Sequence, residues 1–384
     1  MKRIILKKSK SELISRKHHW IFSGAIHKRE KSISNMDPVE VVDANDRFLC
    51  KGLYHDASIA VRILSFDESD DLNADKFWFD KIKTAYDYRQ RIGLPSSTTD
   101  MYRLIHGEGD NIPGLVIDIY CDIAVVQLHY PGLLIFADQI KSAIYKLPIS
   151  ISKVVLKNTY SKEETSPEIN NEPIKAKEND ILFEIDPYKG QKTGFFIDQR
   201  ENRQLVGDFS ADKTVLNLFA YNGGFSLYAL RNGATKVCSV DISSKAIASL
   251  DRNIHLNGLE EKNHLSVVAD VMEYIQTETM DQDIIIVDPP AFAKHKSKRH
   301  NAIQAYKRLN SKVFSKAKPG VLVFTFSCSQ VITKDIFRNT IYSAALQSGR
   351  SIKVIRELNQ AYDHPVNIYH PETDYLKGLM LYIG

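Results

Sequence analysis

Cys328 stands at the end of 321-VLVFTFSCSQVI-332, where a run of apolar, β-branched and aromatic residues gives way to a polar turn. Such a run reads as a buried strand. A thiol there is either packing, since free cysteine is among the most buried residue types, or a nucleophile whose thiolate attacks electrophilic carbon. Three acids hold comparable places: Asp241 closes KVCSVD, Asp270 closes LSVVAD, and Asp288 closes DIIIVD and opens DPPAF. A carboxylate at a strand end can accept hydrogen bonds from a ligand or simply cap the next helix. Pro289 and Pro290 remove backbone donors and stiffen the turn after Asp288, so a planar ring could lie against it. In LFAYNGGFS, Gly223 and Gly224 let a ligand approach the backbone beside a helix N-terminus. That turn lacks the full GxGxxG pattern, which speaks against a pyrophosphate there. Asp241 follows Gly223 at roughly the separation at which an acid takes both hydroxyls of a ribose.

These residues act together only if the chain gathers its strand ends. After residue 190, apolar strands (VLNLFA, KVCSVD, LSVVAD, DIIIVD and the Cys328 strand) alternate with helical segments. That pattern predicts an α/β, doubly wound, mostly parallel sheet with ligands beyond the carboxyl ends of its strands. Residues 1–72 alternate short apolar runs with turns and read as a small β-domain, and 73–92 reads as a connecting helix. The remainder of 73–188 reads as a small α+β domain ending in the polar stretch 161–180, a loop or hairpin. The catalytic domain is then 189–384.

Across 384 residues, 43% hydrophobic and 26% charged content describe a globular protein rather than a disordered one. Cys50, Cys121, Cys238 and Cys328 form no CxxC pair or Cys/His spacing, so neither a disulfide framework nor a metal site is expected. MKRIILKKSK holds too short an apolar run for a signal peptide and no later run approaches a membrane span, so the cytoplasm is the expected location. The net charge of +4 is mild, but residues 1–30 crowd Lys and Arg around Trp20 and Phe22, and 294-KHKSKRH-300 is a second basic run. Each reads as a solvated face or as a phosphate contact.

NLFAYNGGF, SVDIS, VDPPAF and TFSCS, in this order, resemble the Rossmann-like class I methyltransferase fold that uses S-adenosylmethionine (AdoMet). More narrowly, the chain resembles the bacterial 23S rRNA (cytosine-5) methyltransferases that carry an N-terminal PUA domain. HHWIFSGAI, RLIHGEGDNIPGLVIDIY, GQKTGFFIDQRENR and QAYDHPVNIYHPETDYLKG extend the likeness over nearly the whole chain.

The resemblance implies that the turn from Asn217 through Phe219, Tyr221, Asn222, Gly223 and Gly224 surrounds the methionine part of AdoMet. It implies that Asp241 with Ile242 holds the ribose, that Asp270 with Val271 meets the adenine, and that Asp288 with Pro289 faces both methyl donor and target base. Asp198 and Gln199 would close the cofactor site. Lys192, Phe195, Arg200, Pro290, Phe292 and Lys294 would lie toward RNA, which the PUA-like domain would hold through phosphate and shape. Cys328, alone of the four cysteines at a carboxyl strand end of the catalytic domain, would be the nucleophile, and Asp288 its partner in catalysis. His364 and Asp363 in YDHPV belong to the same resemblance. Two other functions stay open: methylation of a guanine nitrogen in rRNA, which needs no thiol, and a non-catalytic RNA-binding or assembly factor. The nucleotide, the base that removes the carbon 5 proton, and monomer versus homodimer are not legible.

Overall fold

Leu216, Ile285, Ile286, Val323, Phe324 and Leu381 are fully buried although neighbouring positions on a strand point to opposite faces. Strands apolar on both faces need helices on both sides, and the chain supplies them. The computed structural model describes residues 1–158, 173–188 and 190–384. Its largest sheet has strands β1 (Thr214–Leu218), β2 (Lys236–Asp241), β3 (His264–Val268), β4 (Ile284–Val287), β5 (Val321–Ser327), β6 (Ile352–Asn359) and β7 (Lys377–Ile383). Their order is β3-β2-β1-β4-β5-β7-β6. The first five run parallel, and β7 enters antiparallel between β5 and β6. Helices Gly224–Arg231, Ser244–Leu256, Val271–Thr277, Arg299–Lys316 and Lys334–Ser348 make the crossovers. The order reverses between β1 and β4, the place where such sheets open a crevice.

Two compact units divide the chain: Asp180–Glu184, Asp198–Ala361 and Asp374–Gly384 form the sheet unit, and Met1–Asn179, Ile185–Ile197 and Tyr362–Thr373 form the other. In the second unit, six strands within residues 2–65 make one sheet around a core of Ile4, Val39, Val41, Cys50, Val61 and Ile63, all fully buried. A second, four-stranded sheet runs Lys153–Asn158, Ile123–Leu128, Leu115–Tyr120, Met101–His106, with helices Asp75–Arg91 and Ala137–Tyr145 in the same unit. Of the stretch expected as a loop or hairpin, Ile174–Glu178 is a strand and residues 161–172 lie outside those described.

Charge is buried in that unit, and it is paired. Arg103 donates from Nε to Asp118 Oδ1 at 2.7 Å and from Nη2 to Asp118 Oδ2 at 2.8 Å. Arg89 makes the same two-pronged contact with Asp110. The Arg103 N–H donates to Asp363 Oδ2 at 2.8 Å, and Asp363 Oδ1 lies 2.8 Å from His364 Nδ1. Asp363 and His364 of YDHPV are therefore buried in an ion network.

Candidate active site

The turn after β1 is strained. Phe219 and Tyr221 take left-handed backbone angles (φ 62° and 48°), as does Gly223 at φ 85°. Only glycine adopts that region without penalty, and elsewhere it marks a conformation its surroundings impose. Asp241 helps to impose it: its Oδ2 accepts from the Tyr221 N–H at 2.9 Å and its Oδ1 from the Ser243 N–H at 2.8 Å. A Cβ on Gly223 would come within 2.6 Å of Leu250 Cγ, and one on Gly224 within 2.9 Å of Arg203 Cδ. The two glycines thus draw the turn tightly onto helix Ser244–Leu256, which follows it, and helix Arg200–Asp208, which precedes β1.

Asn217, nearly fully buried on β1, donates from Nδ2 to Ser226 Oγ at 2.8 Å. Ser226 continues to Ser239 at 2.7 Å, and Ser239 to His264 Nε2 at 2.8 Å. Burial lowers the His264 pKa to about 4, so the ring is neutral and can take part as donor or acceptor. Asn217 Oδ1 is buried with no hydrogen-bond partner among the described residues. A buried acceptor without a donor is costly, and here it adjoins a turn pinned by glycines. An ammonium-bearing ligand would satisfy it, so the donor set fits the amino-acid end of AdoMet.

Asp270 does cap a helix: its Oδ1 accepts from the Met272 and Glu273 N–H groups at 2.8 and 3.1 Å. The capping alternative and the ligand role are compatible, because Oδ2 carries no such bond. Ile242, beside Asp241, is 68% exposed, an aliphatic surface for a flat ring, whereas Val271 is buried.

At the end of β4, Asp288 Oδ2 accepts from Gln199 Nε2 at 3.1 Å. Asn202 Nδ2 holds Gln199 Oε1 at 2.6 Å and also reaches the Asn359 carbonyl at 3.0 Å. The Tyr375 hydroxyl donates to Asp198 Oδ2 at 2.5 Å. Asp198, Gln199 and Arg200 are all buried. Pro290 and Lys294 are exposed, and Phe292 presents its ring edgewise to Tyr306 at 4.6 Å between centroids. Lys192 and Phe195 belong to the other unit: Lys192 is exposed with its ammonium 4.4 Å from the Phe196 ring centre, and Phe195 is buried.

Cys328 is the first residue past β5, partly exposed, and β5 pairs in parallel with β4 so that Val287 faces Thr325. The strand ends bearing Asp288 and Cys328 are adjacent by this register. Tyr306, from helix Arg299–Lys316, is buried, and desolvation pushes its phenol up, with the charges of Cys328 and Asp288 adding to the effect. The other three thiols are held protonated by burial, Cys50 and Cys238 shifted upward and Cys121 up to about 12. Tyr306 and Lys377 were not foreseen. Tyr306 shares the helical spacing of Ala302, Leu309 and Val313 and looks like core, and Lys377 looks like the solvated end of a strand.

One cluster of metal-ligand types exists among the described residues: His18, His370 and Glu372 bring ligand atoms within 4.8 Å of one another. The two imidazoles stack at 4.2 Å with a 31° tilt instead of converging edge-on, a poor match to a tetrahedral centre. No described helix is long and apolar enough to cross a membrane.

Comparison with known proteins places these features in a family. Residues 138–367 match the model for S-adenosylmethionine-dependent methyltransferases, and residues 4–66 match that for PUA-like domains. The chain is 35% identical over 391 residues to ribosomal RNA large subunit methyltransferase I of Aeromonas salmonicida, covering 98% of both chains. It is 34% identical over 389 residues to the protein of that name from Alteromonas mediterranea, again with 98% coverage of each. Among solved structures, SMU.776, described as a methyltransferase and complexed with SAH, superposes with a TM-score of 0.87 over 99% of this chain and 100% of that one at 22% identity. That likeness is one of fold.

Proposed function

The chain belongs to the S-adenosylmethionine-dependent methyltransferase family and carries a PUA-like domain; on that premise we propose that it methylates carbon 5 of a cytosine in large-subunit (23S) rRNA through a covalent Cys328 adduct. The observation that carries the reading is the placement of a partly exposed thiol one residue past β5, on the strand beside the one that ends in Asp288-Pro289. Relatives named as large-subunit rRNA methyltransferases over their full length support the substrate class.

The cofactor would lie along the strand ends, with Asn217 and the strained turn at its amino-acid end, Asp241 and Ile242 at the ribose, and Asp270 at the adenine. When bound, AdoMet supplies an electrophilic methyl group. Carbon 5 of cytosine is a weak nucleophile. The Cys328 thiolate forms a bond to carbon 6, and the displaced electron pair makes carbon 5 enamine-like. Asp288, if protonated when the base binds, shares its proton with N3 and spreads the charge that develops on the ring. Once carbon 5 is methylated, loss of its proton to a base restores the double bond and expels the thiolate. DPPAF offers no second cysteine for that proton, since Ala291 and Phe292 stand where one would be.

RNA would be held by exposed basic residues of the PUA-like domain, such as Lys7, Lys8 and Lys10 just past its first strand, and by the half-exposed Phe22. The protein, AdoMet and 23S rRNA containing 5-fluorocytosine test the chemistry, because fluorine at carbon 5 cannot leave as a proton and the adduct persists. A denaturation-resistant protein–RNA band is expected from the native protein and none from Cys328→Ala. The same band from Cys328→Ala removes the assignment, and full methylation by Cys328→Ser moves the target to a guanine nitrogen.

A further inference from the structure

β7 carries one charged residue deep into the sheet. Lys377 is only 4% exposed, and its backbone faces Ser327, the residue before Cys328. Its ammonium donates to the Ser329 carbonyl at 2.7 Å and to the Ile332 carbonyl at 2.6 Å. The side chain therefore spans Cys328, with the backbone anchored on one side and the charge on the other. Of the three ammonium N–H groups two are used, and the third has no acceptor among the described residues. A buried lysine without a carboxylate partner is expensive, and two carbonyls offset only part of that cost. Burial accordingly lowers its pKa to about 8, while the Cys328 charge acts in the opposite direction and favours the ammonium.

We propose that Lys377 is a positioning residue for Cys328: it clamps the turn that follows β5 and supplies the positive charge that favours the thiolate. The proposal rests on the reading of Cys328 as nucleophile. Ionisation releases the thiol proton to water and requires no other reactant. Asp288 and Tyr306 stand on the Cys328 side, and Asp374 and Lys334, themselves paired at 2.7 Å, stand on the Lys377 side. Tyr306 stays neutral, and the Asp374–Lys334 pair largely cancels, which leaves the Lys377 ammonium as a cation held on the turn that carries Cys328. The ammonium is mostly retained at neutrality, and the attraction weakens above about pH 8 as the lysine loses its proton.

The test is the pH dependence of iodoacetamide alkylation of Cys328 in the full-length protein, followed by peptide mass spectrometry. Native protein should show a midpoint below the free-thiol value of about 8.5. Lys377→Met should raise that midpoint by about one unit and slow alkylation at pH 7 roughly tenfold, while AdoMet affinity by calorimetry is unchanged. Lys377→Arg, which keeps the charge, should stay near the native midpoint. A native midpoint at or above the free-thiol value overturns the proposal without any variant. So does a folded Lys377→Met protein with an unshifted midpoint. If the native protein forms no 5-fluorocytosine adduct yet shows the depressed midpoint, the nucleophile reading fails and the lysine–thiol pairing stands.

Discussion

Two polar regions of this molecule are organised in opposite ways. In the unit holding residues 1–179, the two buried arginines each have a carboxylate: Arg103 grips Asp118 with two bonds, Arg89 grips Asp110, and Asp363 accepts from the Arg103 backbone N–H and lies against His364. Along the strand ends of the methyltransferase sheet, capacity is left over instead. Among the described residues, Asn217 Oδ1 has no partner, Asp270 uses one oxygen as a cap, and two carbonyls take up two of the three Lys377 ammonium N–H groups. Satisfied charge fixes structure, whereas unspent hydrogen-bonding capacity at a crevice anticipates a ligand.

Mutation should separate the two. Cys328→Ala is expected to reduce methylation by roughly three orders of magnitude or more with little change in the thermal midpoint, measured by methyl transfer from labelled AdoMet and by calorimetry. Arg103→Met should do the reverse. It strands the Asp118 carboxylate, already bonded to Thr193, and costs about 3–5 kcal/mol of stability in chemical denaturation. Replacing Asp118 by Leu as well should recover much of that loss, because a buried pair exchanged for apolar groups is close to neutral. If the single change is harmless, the contrast between the regions is wrong.

Asp241→Asn should weaken AdoMet binding about tenfold to a hundredfold with a smaller effect on stability, read by titration calorimetry. The smallest effect concerns pH. His264 has a folded pKa of about 4 against the ordinary imidazole value of 6.5, so between those values the unfolded chain binds the extra proton. The contribution of His264 to stability is complete above about pH 6.5 and is lost as pH falls toward 4. Its size is on the order of 2 kcal/mol after allowance for partial exposure. His264→Gln should flatten that part of the denaturation profile, and an unchanged slope would show that the imidazole is not neutral in the folded state.

What the sequence disclosed follows the same division. The parallel strands were legible because burial on both faces makes them continuously apolar, and their terminal acids stood out against that background. Asp288 is one of these acids, and Cys328 stood out at its strand end in the same way. Lys377 was hidden for the complementary reason: a lysine opening KGLMLYI has the pattern of a strand emerging into water, and nothing local says that an antiparallel partner covers it. Tyr306 was hidden by its helical period. The Arg103–Asp118 pair was equally invisible, since pairing across a sheet is set by register, and β-strand polar residues usually face solvent. The segments Ile185–Ile197 and Tyr362–Thr373 group with the N-terminal unit although both adjoin catalytic strands in sequence, a grouping that local pattern does not encode.

The carboxylate of Asp241 has a further consequence for measurement. It is bonded to the amide of Tyr221 in the left-handed turn and to the amide of Ser243 at the next helix, so on the proposed reading it is at once ribose ligand and buttress. Asparagine there would point an NH2 at one of two N–H donors. The affinity lost on substitution would then contain the ribose contact and the relaxation of the turn around the methionine end, and the two ends of the cofactor could not be costed separately. Single changes at Asp241, Tyr221 and Asn217 should fail to add, and the deficit in a double-mutant cycle would measure how far this pocket behaves as one thermodynamic object.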